Sequence, residues 1–346
     1  MKKNIISVIL YTAALFGFAG CAKEVNTGFN DANKRFFDAW IKVNYPDLDP
    51  SGLGIYVIDK QEGSGKTVKK DGFAFVDYTI TDLEGNISSY TRKETAKQLG
   101  QYDTAYYYGS KVWTTTETTI QAGVADAILG MKVGGSKKVV IPGWLLTYKV
   151  YESIEDYLNP PKDNTSSTSY DNAIYEFTVT DFAENINDWQ IEQMGKYFSS
   201  NPQLGLSVKD SLQLGFYYKQ LVAPKDTTSF KPDTTVYINY TGRLLNGLVF
   251  DTTDERTAKD NGIYSSMKKY EPVPVKWAKE YQDIQLSGSE VIKGFALTMW
   301  QMRAFEKGVG IFYSDLGYTH SGSGKSIPGY APLIFEVEIV KKPEED

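Results

Sequence analysis

Apolar side chains at Phe36, Phe37, Trp40 and Ile41 recur at helical spacing between Asn30 and Val43, and Tyr45-Pro46 closes the segment. The same arrangement returns between Asn187 and Ser200, with Ile191, Met194 and Phe198 before Asn201-Pro202. Each predicted helix leads to a short strand, Gly54 to Val57 and Gly215 to Tyr218. A second strand follows each, Phe73 to Thr79 and Thr235 to Thr241, and both halves end in alternating strands, Tyr175 to Val179 and Leu333 to Ile339. The phase is kept: Phe37 to Phe198 and Gly54 to Gly215 are each 161 residues apart, and Tyr78 to Tyr240 is 162. A constant offset of this kind marks a duplicated unit, with the joint near Ala183 to Ile186. Many short strands and few helices predict an α+β, antiparallel architecture.

Composition narrows the chemistry. The 346 residues carry a formal net charge of -6, one Cys and one His. That argues against nucleic-acid wrapping, which needs a basic excess. It also excludes a disulfide framework and Cys/His zinc sites, so no metal and no cofactor is expected. Aromatics make up 14% of the chain, 25 of them Tyr, which suits grasping a ligand better than breaking one. Gly65-Lys66-Thr67 and Gly324-Lys325-Ser326 imitate the end of a phosphate-binding loop, but Lys60 and Thr319 stand where its first glycine is required. The acidic set Asp251, Asp254 and Glu255 lacks the spacing of a calcium loop and reads as a solvated loop. His320 has no partner at a motif spacing and reads as a loop residue.

At the N-terminus, Lys2-Lys3 precede an apolar run from Ile5 to Gly20, too short to span a bilayer. Phe18-Ala19-Gly20-Cys21 resembles the lipobox of bacterial lipoproteins. The expectation is a signal peptide over 1–20, lipidation at Cys21, a tether over 21–31, and a lipid-anchored location in the cell envelope. The membrane would be met through that anchor only.

One set of segments in the second half carries the functional reading: Val236 to Gly242, Gly247-Leu248-Val249-Phe250-Asp251, Glu290-Val291-Ile292-Lys293-Gly294-Phe295, Asp315-Leu316-Gly317-Tyr318, and Ile327-Pro328 before Leu333-Ile334-Phe335. In this order, over roughly residues 211–341, they resemble the FKBP-type peptidyl-prolyl cis-trans isomerases, the macrolide-binding immunophilins. The resemblance implies two tandem FKBP-like domains, over 32–184 and 185–346. Each would be a half-open antiparallel β-sheet wrapped around a short α-helix and preceded by an extra N-terminal helix. The second helix is expected from Phe295 to Met302. By resemblance, Tyr240, Phe250 and Phe335 form ring walls around the twisted carbonyl, and Ile292 offers its backbone N–H to a substrate carbonyl. Tyr318 supplies a hydroxyl and Asp251 a polar rim. Val291, Phe295 and Ile327 bind the substrate as side wall, floor and lip. Phe295 stands where the family usually has Trp.

The implied activity is isomerisation of X–Pro bonds in proline-containing polypeptides of the envelope or export route, with a macrolide as a further ligand. The alternative is a non-enzymatic chaperone or adaptor that keeps the fold; a glycan-binding lipoprotein is a third, weaker reading. Two departures stand out. The 38 residues between Asp251 and Glu290, with Tyr270, Trp277 and Tyr281 among them, exceed the family's spacing and sit where a lid, flap or plug would. The first half is a worn copy: Ser88 and Ser89 replace Phe250-Asp251, Gln121 falls at Ile292 and Val124 at the floor. It is expected to keep the fold without the catalysis. The segment from Tyr148 to Asn172 reads as a long loop beside its pocket.

Overall fold

The computed structural model describes residues 29–147, 155, 158 and 171–344. The signal peptide, Cys21, most of the tether and most of the Tyr148 to Asn172 loop lie outside the described residues. Among the described residues, no helix is long and apolar enough to cross a membrane.

The first half runs α1 (Phe29–Asn44), β1 (Tyr56–Gln61), β2 (Phe73–Thr81), β3 (Ile87–Tyr90), α2 (Lys93–Gln98), β4 (Lys111–Thr114), α3 (Ala122–Ile128), β5 (Ser136–Ile141) and β6 (Ala173–Ala183). The second runs α4 (Ile186–Ser200), β7 (Phe216–Val222), β8 (Thr235–Leu244), β9 (Val249–Thr252), α5 (Glu255–Asp260), β10 (Val273–Lys276), β11 (Gln285–Leu286), β12 (Ser289–Glu290), α6 (Lys293–Gln301), β13 (Lys307–Phe312) and β14 (Leu333–Val340). The fold is α+β, as the pattern predicts. The first sheet has the order β1-β5-β6-β2-β3, with β4 also on β2. The second has the order β7-β13-β14-β8-β10-β11-β12, with β9 also on β8. The two orders superimpose strand for strand, and β11 and β12 are the additions of the second sheet. Every pairing is antiparallel.

The central strands explain why each sheet is covered on both faces. In β14, Leu333, Phe335, Val337 and Ile339 join one core cluster, whereas Ile334 joins another with Met194 and Phe198 of α4. A strand buried on both sides reads as a nearly continuous apolar run, and Leu333-Ile334-Phe335 is one. Likewise Val139 and Ile141 of β5 face the inner core while Val140 packs on Phe37 and Ile41 of α1. The extra helix before each unit therefore covers one face of its sheet. Each such large apolar side chain, once buried, contributes about 1.5–3 kcal/mol. Asn185 caps α4, its side chain accepting from the N–H groups of Asn187 and Asp188. Phe36, counted on the apolar stripe of α1, is instead 48% exposed: the buried stripe is the i, i+4 pair Phe37 and Ile41.

On the other face lies the short helix, α3 or α6. In α6 every position from Gly294 to Met299 is buried, so the helix sits against the sheet rather than on the surface. It approaches closely because β13 offers Gly310, where a Cβ would meet Thr298 Oγ1 at 1.8 Å.

The long segment after Asp251 is folded into α5, β10, β11 and β12. Asp254 caps α5 by accepting from Thr257 N–H at 2.7 Å, so the acidic run begins a helix rather than forming a solvated loop. Trp277 is buried, stacks on Trp300 with ring centres 5.8 Å apart, and packs on Phe230 at 4.8 Å. Sequence spacing alone put this ring at the pocket rim. Its apolar area places it in the core, directly after β10, which lies between β8 and β11.

Candidate functional site

Alternation along β8 presents Val236, Ile238 and Tyr240 to the same side, the first two in the core with α6. One step further, Gly242 leaves a gap: a Cβ there would meet Phe250 at 2.5 Å and Phe335 at 3.0 Å. The missing side chain lets these two rings close over the strand. Phe335 is the hub. It meets Phe295 at 5.1 Å and Phe250 at 5.6 Å, both edge-on, and stacks on Phe312 at 5.9 Å. Tyr240 stands edge-on to Phe295 at 5.6 Å. Such pairs hold ring orientations by complementary edge and face charge.

These rings surround a cleft of about 460 Å³, within the range of small-ligand sites. The nine residues named from the sequence, Tyr240, Phe250, Asp251, Val291, Ile292, Phe295, Tyr318, Ile327 and Phe335, all line it. Phe295 and Phe335, deep in the wall, are buried, and the tyrosines at the mouth are half-buried. Ile292 occupies the N-cap position of α6 with an extended backbone (φ -61°, ψ 146°). Its N–H therefore lies outside the helix's own ladder.

The polar side of the cleft is one cluster. The Tyr240 hydroxyl donates to Asp251 Oδ2 at 2.6 Å, and Lys268 pairs with Asp251 Oδ1. Burial, reinforced by the Asp251 carboxylate, pushes the Tyr240 phenol far above its ordinary range. Burial and then Asp251 raise Tyr318 too. Both phenols stay protonated at neutral pH and serve as donors, not bases. Lys268 and the wall residues Leu286, Glu290, Ser323 and Ser326 were missed from sequence. Lys268 and Leu286 lie in the long segment that no motif covers, and only the fold brings them back to the cleft. A larger cleft, about 950 Å³, lies between α4 and the 328–332 loop, with Lys196, Arg243 and Glu336 on its walls. Its walls carry Tyr107, Trp189, Tyr197 and Tyr330, but none of the nine residues named from the sequence.

The first unit holds the same positions with different contents. Tyr78 lies two residues before Ile80, which pairs with Ser89 and Tyr175. Tyr240 lies two before Gly242, which pairs with Asp251 and Phe335. Thus Ser89 stands for Asp251, Ile80 for Gly242 and Tyr175 for Phe335. Gln121 is the N-cap of α3, as Ile292 is of α6, and its side chain donates to the Leu146 carbonyl. Trp113, from the register position that Val275 holds in the second sheet, packs on Tyr78 at 5.4 Å, Phe177 at 5.4 Å and Tyr175 at 6.2 Å. The space between the rings is filled by the chain itself.

Comparison with known proteins gives the following. Residues 226–340 match the family model for FKBP-type peptidyl-prolyl cis-trans isomerase. A probable FKBP-type peptidyl-prolyl cis-trans isomerase of Haemophilus influenzae is 30% identical over 151 residues, 44% of this chain and 52% of that protein. The chain thus spans about half the length of this relative. FK506-binding protein 2 of Dictyostelium discoideum is 32% identical over 136 residues, 39% of this chain and 84% of that protein. Among solved structures, FkpA from Escherichia coli is 21% identical, covering 45% of this chain and 62% of that one, with a TM-score of 0.30.

Proposed function

The chain belongs to the FKBP-type peptidyl-prolyl cis-trans isomerase family, and from that premise we propose that its second unit catalyses X–Pro isomerisation while its first unit does not. The observation that carries this reading is the 460 Å³ cleft, open between four aromatic rings and bordered by protonated phenols.

The chemistry asks little of the residues. Rotation about the amide must cross about 18–20 kcal/mol and takes tens of seconds or more unaided. No bond breaks, so neither a nucleophile nor a metal is needed. In the twisted transition state the amide loses resonance and its carbonyl becomes less polar. A dry, ring-walled cleft therefore favours that state over the planar, well-hydrated one. Phe295 would lie under the pyrrolidine, Phe250, Phe335 and Tyr240 around the carbonyl, and Ile327 at the lip. The Tyr318 hydroxyl and the Ile292 N–H would hold the flanking peptide. Lowering the barrier by about 7 kcal/mol gives roughly 10⁵-fold acceleration.

The first unit lacks these means. Serine at 88 and 89 and glutamine at 121 make its walls wetter, and Trp113 takes the space a prolyl ring would use. The anchor at Cys21 would place the enzyme in the cell envelope, with exported polypeptides as clients. The FK506-binding relatives support a macrolide as competitor for the same cleft. A protease-coupled peptide assay tests the activity: acceleration by the full chain that is lost in Phe250→Ala and weakened in Tyr318→Phe supports the enzyme. Wild-type protein no faster than buffer supports the adaptor instead.

A further inference from the structure

Ile327, the lip of the cleft, also lines a second groove of about 530 Å³ that runs between the two units. We propose that this groove is a second part of the substrate site, holding residues of the client chain on one side of the prolyl bond, so that the non-catalytic unit supplies subsites for the catalytic one. The inference rests on the isomerase reading above and adds the extent and the charge preference of its substrate.

The observations that carry it are continuity, wall chemistry and charge. Continuity comes from Ile327 and from the loop on which it sits. The Tyr107 N–H of the first unit donates to the Lys325 carbonyl at 2.8 Å, and the Lys325 ammonium lies 4.8 Å from the Tyr106 ring. Tyr330 packs edge-on against Phe73 at 5.4 Å. The first unit therefore grips the loop that carries the lip, and the groove between them has built walls. Those walls carry five tyrosines: Tyr90, Tyr106, Tyr107, Tyr108 and Tyr330. Tyrosine offers a rigid apolar face and a hydroxyl at little entropic cost, which suits binding of varied peptides. Strands β3 and β4, which pair only with β2 among the described strands, place Ser88 to Tyr90 and Lys111-Val112 on the same groove. A sheet edge of this kind hydrogen-bonds an extended chain through its backbone, whatever its side chains.

Charge fixes the preferred occupant. Among the described residues, Lys111, Lys325 and His320 line the groove and no carboxylate does, although the whole chain is at -6. At about 0.15 M salt charges interact over roughly 8 Å, so the groove's own lysines outweigh the distant acidic surface. The occupant is thus an extended polypeptide segment with acidic residues flanking the proline.

The test compares three synthetic peptides with the full-length protein: a short Leu-Pro peptide that fills only the cleft, and two twelve-residue peptides extending it with Glu-rich or Lys-rich flanks. The Glu-flanked peptide should exceed the short one in kcat/KM by about threefold to fivefold, the range of one or two exposed ion pairs. The Lys-flanked peptide should not. Lys111→Glu should bring the Glu-to-short ratio to about one and raise the Lys-flanked peptide, and Lys325→Glu should act in the same direction. Equal kcat/KM for all three peptides, or a Lys111→Glu protein that keeps the Glu preference, would overturn the groove while leaving the isomerase intact. Should no peptide be accelerated, the isomerase reading fails and fluorescence anisotropy of the same labelled peptides decides the groove: tighter Glu-flanked binding that Lys111→Glu reverses supports it, and equal binding refutes it.

Discussion

Two ring clusters stand at equivalent places in two sheets of the same strand order, and they differ in what lies between the rings. In the first, the Trp113 ring packs on Tyr78, Tyr175 and Phe177. Around Tyr240, the rings of Phe250, Phe295 and Phe335 stand edge-on and leave a cleft. Few positions account for the difference: Ile80 against Gly242, Ser88 and Ser89 against Phe250 and Asp251, Trp113 against Val275, Val124 against Phe295. The sheet order and the short helix survive all of these exchanges, because the fold rests on buried alternation along the central strands. A site is a thinner object than a fold. It needs space kept empty, and an empty space is maintained only by the shape of its surroundings.

The comparison breaks most sharply if the second unit is given the contents of the first. The double change Phe250→Ser and Asp251→Ser should lower kcat/KM for an X–Pro peptide by about a hundredfold or more, which corresponds to roughly 3 kcal/mol of transition-state stabilisation. It should leave the circular dichroism spectrum unchanged. Next in size is Gly242→Ile. The new side chain would collide with Phe250 and Phe335, so activity should fall about tenfold or more and the denaturant midpoint should drop by the equivalent of about 1–3 kcal/mol.

A smaller effect concerns a carboxylate pair at matched register. Glu336 pairs with Lys307 at 2.6 Å and Arg243 at 3.0 Å, while its counterpart Glu176, more exposed, pairs with Lys138 alone among the described residues, at 3.6 Å. Burial alone would raise the Glu336 carboxyl, but the two cations outweigh it and hold it below the ordinary range. A depressed carboxylate contributes stability above its unfolded pKa of about 4.3, and that stability is lost as pH falls through the lower folded value. Glu336→Gln should therefore cost about 1 kcal/mol at pH 7 and less at pH 3, whereas Glu176→Gln should cost a few tenths at most. Urea titrations at the two pH values check this. The smallest change expected comes from grafting in the opposite direction. Ser88→Phe with Ser89→Asp should add no isomerase activity in a Phe250→Ser background, since Trp113 still occupies the space and Ile80 still crowds the strand.

Much of this was legible along the chain. The 161-residue offset marked the repeat, and alternation marked the strands, because burial leaves a period-two signature in the sequence; the wall residues came from the family resemblance. The ordered motifs located Tyr240, Phe250, Asp251, Val291, Ile292, Phe295, Tyr318, Ile327 and Phe335, which the fold gathers at one cleft. The stretch between Asp251 and Glu290 was not legible. Lys268 reaches Asp251 from a segment with no periodicity, and Trp277 goes to the core rather than to the rim. Both placements depend on how β10 adds to β8, a long-range pairing that local pattern does not encode. The filling of the first cleft by Trp113 was hidden for the same reason: a tryptophan on a neighbouring strand reads as ordinary β-sequence until register puts it between Tyr78 and Tyr175.

Exchange spectroscopy on a proline-containing peptide, with catalytic amounts of the full-length protein, measures the central claim directly through the cis-to-trans rate. Wild-type protein and a Ser88→Ala variant should both speed the exchange, and Phe250→Ser should slow it sharply toward the uncatalysed rate. Exchange that persists undiminished in Phe250→Ser, or that vanishes in Ser88→Ala, would contradict the assignment of the chemistry to the second cleft.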